Sequence, residues 1–319
     1  MKKVLICGAN GFIGKNLVDA FAGKYDVRAV DIVLPQERRP DVQWIKLDLR
    51  KREDVKRAVE GVDIVLHYAA TTTGAADVVS RPYIHVTDNV VMTSLLVREA
   101  HEQGVEHFVM PSCTIMYGSS TRPVLEEDYN ELAIPEQYYG AGQTKVYLEK
   151  MCYFFSKFKK TKYSVLRQSN IYGPNDKFDL EKGHVFAASI MKICHSSDKV
   201  IVWGSGEEER DLLYIDDLVS CVESVITKQE EYYCLINVGT GLSISISSLV
   251  EKMIQISGKS LQIVYDESKP TIKTKLAVDV SKASKMFDWS PQVSIESGIK
   301  KTLAWYRKNI MRGSENGVL

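Results

Sequence analysis

The apolar run Val4-Leu5-Ile6-Cys7 leads straight into Gly8-Ala9-Asn10-Gly11-Phe12-Ile13-Gly14, and from there into a segment with helical spacing. Three glycines at this interval between a strand and a helix leave few folds open. The first permits a tight turn, the second lets the backbone approach a diphosphate, and the third lets the helix pack against the strand. The start of such a helix offers N–H groups and the positive end of its dipole to an anion. A turn that is glycine-rich for its own sake is the competing reading, and the placement between strand and helix weighs against it. Gly8, Gly11, Phe12, Ile13 and Gly14 are therefore expected to surround the phosphates of a dinucleotide.

The two periods keep alternating. Phe12, Ile13, Leu17, Val18 and Phe21 share one side of a helix over 12–22. Strands are predicted at 27–30, 44–47, 64–66, 107–110 and 163–166, with helices near 55–59, 89–101 and 143–158. Strand and helix alternating in this way mean an α/β fold with a doubly wound parallel sheet of Rossmann type. After Asn170 the pattern changes. A turn at 173–176 precedes a helix at 185–195, a strand at 200–203, a Gly-Ser-Gly turn, a helix at 216–227 and a strand at 234–238. The expected division is a dinucleotide-binding domain at 1–168 plus about 212–240, and a smaller mixed α/β substrate domain at about 169–211 plus 241–312. The polar end at 313–319 is expected to be a loose tail.

Composition narrows the function classes. The 319 residues carry 45% hydrophobic and 26% charged residues, enough for a sizeable core. The 41 basic residues balance 41 acidic ones, which argues against nucleic acid as the main partner. The six cysteines form no CxxC pair, so neither a metal site nor a disulfide framework is expected. No apolar run approaches the roughly 18 residues of a membrane span, and the opening run is too short for a signal peptide. A cytoplasmic protein is expected.

Asp31 ends the second strand about 20 residues beyond the loop. A carboxylate there accepts hydrogen bonds from a ribose and repels a 2′-phosphate, which favours NAD over NADP. Arg38 and Arg39 follow closely and pull the other way. Ligands in such sheets sit at the carboxyl ends of strands. By that rule Asp48 and Leu49 would meet the adenine edge, and Ala69, Ala70 and Thr71 the middle of the cofactor.

Together these residues resemble the extended short-chain dehydrogenase/reductase family, in particular its nucleotide-sugar epimerases, reductases and dehydratases. The resemblance also rests on Tyr68-Ala69-Ala70, on Asn89, and on Pro111-Ser112-Cys113-Thr114-Ile115-Met116-Tyr117-Gly118. It continues through Asn170-Ile171-Tyr172-Gly173-Pro174 and Arg210-Asp211-Leu212-Leu213-Tyr214-Ile215-Asp216-Asp217-Leu218. Within the family, the run through His184-Val185 and Val202-Trp203-Gly204-Ser205-Gly206 is most similar to the enzymes that make GDP-L-fucose. The resemblance implies a homodimer paired through the helices at 89–101 and 143–158, where Tyr147, Met151 and Phe155 fit an apolar stripe. It also implies a nucleotide-diphosphate sugar as substrate, bound by Asn170, Val185, Trp203 and Arg210. Asn89 would belong to the cofactor side.

In the family a tyrosine and a lysine four residues later share a helical face. The lysine lowers the phenol's pKa and holds the nicotinamide ribose, and the tyrosinate takes the sugar proton. Here Ala141 stands in the tyrosine place while Lys145 remains. Such a chain should turn over poorly, because acid–base help is typically worth about 10²–10⁴-fold. It reads either as a Tyr-to-Ala variant, the favoured explanation, or as a member that has lost or relocated its base. Tyr138 and Tyr139 are expected to point elsewhere. The family's hydroxyl at the end of the fifth strand falls at Cys113, with Thr114 beside it. His184 matches an epimerisation histidine, but the cysteine that accompanies it would fall at Ile115; a cap for the following helix is the plainer reading of His184. The alternatives are a regulatory protein on the same fold that binds NAD without catalysis, or a nucleotide-sugar dehydratase or dehydrogenase.

Overall fold

In β1 (Lys3–Cys7) the side chains alternate between two cores: Val4 and Ile6 pack into one, Leu5 and Cys7 into the other, all without solvent exposure. A strand covered on both faces belongs in the interior of a parallel sheet, and β1 sits there with a strand on either side. The computed structural model describes residues 1–71, 81, 83–180, 183–269, 271 and 274–311. Its large sheet contains β2 (Asp26–Asp31), β3 (Gln43–Lys46), β4 (Ile64–His67), β5 (His107–Cys113), β6 (Lys162–Gln168) and β10 (Tyr233–Val238). The seven strands run in the order β10-β6-β5-β4-β1-β2-β3, with every neighbouring pair parallel.

Helices cover both faces. α1 (Phe12–Phe21) buries Leu17, Val18 and Phe21 in the core beneath it, shared with α6 (Ile215–Lys228). On the other face lie α2 (Arg52–Val59), α3 (Ile84–Gln103) and α4 (Tyr139–Ser156), which contribute Val55, Leu96 and Leu148. The sheet order reverses at β1, flanked by β2 and β4, so a crevice forms outside their carboxyl ends.

A second layer stands over that crevice. β9 (Glu209–Tyr214) pairs with β7 (Asn170–Tyr172), β11 (Ser243–Ser245) and β13 (Lys275–Leu276), and β8 (Lys199–Trp203) pairs with β12 (Gln262–Asp266). α5 (Val185–His195), α7 (Ile246–Ser257), α8 (Ser281–Phe287) and α9 (Ile295–Tyr306) complete this part. The chain rejoins the large sheet through α6 and β10, while residues 212–214 still belong to the small sheet.

Several expectations need adjustment. α3 begins at Ile84 and α4 at Tyr139, each several residues earlier than the apolar periodicity indicates. Gly140 and Gly142 hide the first turn of α4, since glycine is a poor helix former. Of the expected stripe on α4, Met151 and Phe155 pack inward while Tyr147 faces outward. The tail at 313–319 lies outside the described residues.

Candidate active site

Two clefts open at the carboxyl ends of the strands and share one wall. The first encloses about 730 Å³ and runs over the glycine loop, with Gly8, Gly11, Phe12, Ile13 and Gly14 along it. Gly8 adopts φ +75°, and a Cβ there would lie 2.7 Å from the Ala69 backbone. A Cβ on Gly14 would fall 2.0 Å from the Gly8 carbonyl oxygen. Glycine alone allows this approach of β1, β4 and α1. No side chain caps α1 and no acidic residue stands in its first turn. Its N–H groups and dipole are left to an anion, which fits the diphosphate of a dinucleotide.

At the end of β2, Asp31 accepts hydrogen bonds from the backbone N–H groups of Asn10 and Val33, both at 3.0 Å. The glycine loop and the carboxylate are thus one unit. Arg39 is engaged by Asp41 and Asp19, and Arg38 donates to the Pro35 carbonyl; neither lines the cleft. Farther along, Asp48 and Leu49 form a wall, and Arg50 bridges Asp48 and Asp88 at 2.9 and 3.1 Å. Ala69 lines this cleft only, whereas Ala70 and Thr71 reach both.

Cys113, Ile115, Lys145, Asn170 and His184 make up the rest of the shared wall. Lys145 donates through Nζ to the Pro111 carbonyl at 2.9 Å, at the end of β5. Burial pulls its ammonium below the usual lysine range, and the Cys113 thiol beside it is pushed up by the same burial. Ala141 stands one turn before Lys145 in the second cleft, which encloses about 440 Å³. Thr114 is buried against the first cleft. His184 occupies the N-cap position of α5 without a side-chain capping bond, so it does not serve as a cap. Burial and Lys177 lower its imidazole's affinity for a proton.

The outer part of the second cleft holds Val185, Trp203 and Arg210. Arg210 donates to the carbonyls of Glu209 and Thr274 at 2.9 and 2.7 Å. The ammonium groups of Lys192 and Lys269 lie 5.4 and 5.8 Å from the centre of the Trp203 ring. Asn89 lines this cleft rather than the first, its carboxamide bound to the Thr71 backbone and the His85 carbonyl.

Tyr138, expected to point elsewhere, instead enters the second cleft from the N-cap of α4. Burial raises its phenol's pKa. Glu208 lies there too, one residue before β9 and two before Arg210. Asp217, in the first turn of α6, is buried and accepts from the N–H groups of Gln292 and Val293, each at 3.0 Å.

A glycine loop, a β2 carboxylate and a lysine at the mouth of β5 define an extended short-chain dehydrogenase/reductase. The chain belongs to the NAD dependent epimerase/dehydratase family, which it matches over residues 4–239. It is 29% identical to the dTDP-D-glucose 4,6-dehydratase of Mus musculus, over 97% of this chain and 89% of that protein. It is 26% identical to the GDP-L-fucose synthase of Azorhizobium caulinodans, over 96% of each chain. The UDP-glucuronic acid 4-epimerase of Bacillus cereus, solved with UDP-glucuronic acid and NAD, superposes with a TM-score of 0.82 at 25% identity, covering 96% of this chain and 99% of that one.

Proposed function

We propose that this chain is an NAD-dependent nucleotide-sugar epimerase or reductase that works through a 4-keto sugar and is impaired by Ala141. The observation that carries this reading is the shared wall: Cys113, Lys145, Asn170 and His184 face a dinucleotide cleft on one side and a second cleft bearing Arg210 and Trp203 on the other. When bound, NAD supplies a hydride acceptor and donor. Lys145 holds the nicotinamide ribose, and Cys113 or Thr114 orients the reacting sugar oxygen. Arg210 grips the substrate diphosphate with its planar fork. Trp203 stacks on the base, and Asn170 and Val185 border the sugar. The methyl group of Ala141 moves no proton, so the second cleft binds better than it turns over. Asp31 favours NAD over NADP, because its carboxylate stands where a 2′-phosphate would approach.

Ile115 in the shared wall offers no acid beside His184, which disfavours a 3,5-epimerisation. Thr114-Ile115 stand where the dehydratases of the family carry an Asp-Glu pair, and this disfavours dehydration. The exposed aromatic face of α4, with Tyr147 and Phe154, supports a homodimer. The six unpaired cysteines support a reducing, cytoplasmic setting.

Ala141→Tyr is the test. Assayed with NAD and a panel of nucleotide sugars, it should raise turnover about 10²–10⁴-fold. No gain with any sugar would favour the second reading, a regulatory protein that binds NAD without catalysis, for which Ala141 is the supporting observation.

A further inference from the structure

We propose that Glu208 reads the base of the nucleotide substrate and selects guanine, an inference that rests on the nucleotide-sugar reading above. Glu208 is 5% exposed, lines the second cleft, and neither of its carboxylate oxygens has a hydrogen-bond partner among the described residues. Its Oε1 lies 2.8 Å from where a Cβ on Gly204 would project, so the carboxylate sits directly beside the turn that follows Trp203. Thr271 lies close to the same turn, with Oγ1 3.0 Å from the same point.

A buried carboxylate without donors is costly, and native structures rarely leave one so without a reason. Burial pulls the Arg210 guanidinium below its usual range, with Tyr138 and then Glu208 acting the other way, and Nη1 donates to the carbonyls of Glu209 and Thr274. The two oxygens of Glu208 therefore await two donors from the ligand. A carboxylate only accepts hydrogen bonds. Guanine presents N1–H and the 2-amino group side by side, a match for both oxygens at once. Uracil and thymine present one imide N–H between two carbonyls, which the carboxylate would repel. Adenine and cytosine set their amino group beside a ring acceptor. A site that holds two buried acceptors discriminates strongly against bases that lack the donors.

Calorimetric titration of the full chain, saturated with NAD, with GDP, IDP and UDP tests this. IDP keeps N1–H and lacks the 2-amino group. GDP should bind roughly 10- to 100-fold tighter than IDP, the value of one charge-assisted hydrogen bond, and UDP weaker again. In Glu208→Gln, whose amide offers one donor and one acceptor, the GDP-to-IDP gap should collapse and UDP should gain on GDP. Retained NAD binding shows that the variant is folded, and the ranking in the unmutated chain decides the matter if it is not. UDP binding as tightly as GDP, or a GDP-to-IDP ratio unchanged in the variant, would overturn the assignment. So would an equal loss for all three ligands, which would make Glu208 only a counter-charge for Arg210. A chain that binds NAD but no nucleoside diphosphate would instead sink the proposed function itself.

Discussion

Glu149 and Arg167 form a two-pronged ion pair at 2.7 and 3.0 Å, one turn along α4 from Lys145. Ser112, next to Cys113, donates to the same carboxylate at 2.6 Å. The pair fastens α4 to β5 and β6 and thereby fixes where Lys145 stands. Removing one partner leaves the other charged and buried. Glu149→Ala should cost about 3–5 kcal/mol in urea unfolding, and the double change Glu149→Leu with Arg167→Met should cost less than either single change. Equal stability of Glu149→Ala and the parent would refute this.

Asp176, in the wall of the dinucleotide cleft, is buried, and burial pushes its carboxyl up to about 7. One oxygen accepts from the Lys177 N–H at 2.6 Å, and the other has no partner among the described residues. Between the ordinary aspartate value and pH 7 the folded chain holds a proton that the unfolded chain has released. Stability should therefore fall as pH rises through this window and level off above it. Asp176→Asn should flatten the fall, read as melting temperature between pH 4 and 8. A parallel profile for parent and variant would contradict the assignment.

Asp31 ties the glycine loop to the end of β2 through the Asn10 N–H. Asp31→Asn keeps the acceptor oxygen and removes the charge. Fluorescence titration should show NADPH gaining on NADH by about tenfold, the size of one near-surface charge interaction. An unchanged ratio would place the ribose elsewhere.

Tyr147 and Phe154 are 55% and 58% exposed on α4. Aromatic side chains at this density on one helix mark a contact surface. Tyr147→Glu with Phe154→Lys should convert a dimer to a monomer in sedimentation at micromolar concentration, leaving NAD affinity unchanged. A parent chain that sediments as a monomer would refute the dimer.

The large sheet could be read from the sequence because its strands are buried on both faces and so appear as plain apolar runs. The small sheet could not. β11 reads Ser-Ile-Ser and β13 is two residues long, and neither carries a period. In the site, the glycine loop and Asp31 announce themselves by spacing, and Lys145 only through the resemblance, which puts Ala141 in the family's tyrosine place. Tyr138 reads as pointing elsewhere because glycines conceal the start of α4. The role of Asp217 is not legible because its partners, Gln292 and Val293, lie far away in sequence. Glu208 is the middle one of three consecutive glutamates, and nothing in that run tells which of them the fold buries.

A crystal of the chain grown with NAD and a nucleoside diphosphate tests the central claim most directly. The dinucleotide's diphosphate should lie over residues 8–14, its nicotinamide ribose on the Lys145 ammonium, and the second nucleotide's diphosphate on Arg210. A dinucleotide bound away from the glycine loop, or a Lys145 side chain turned out of the shared wall, would contradict it.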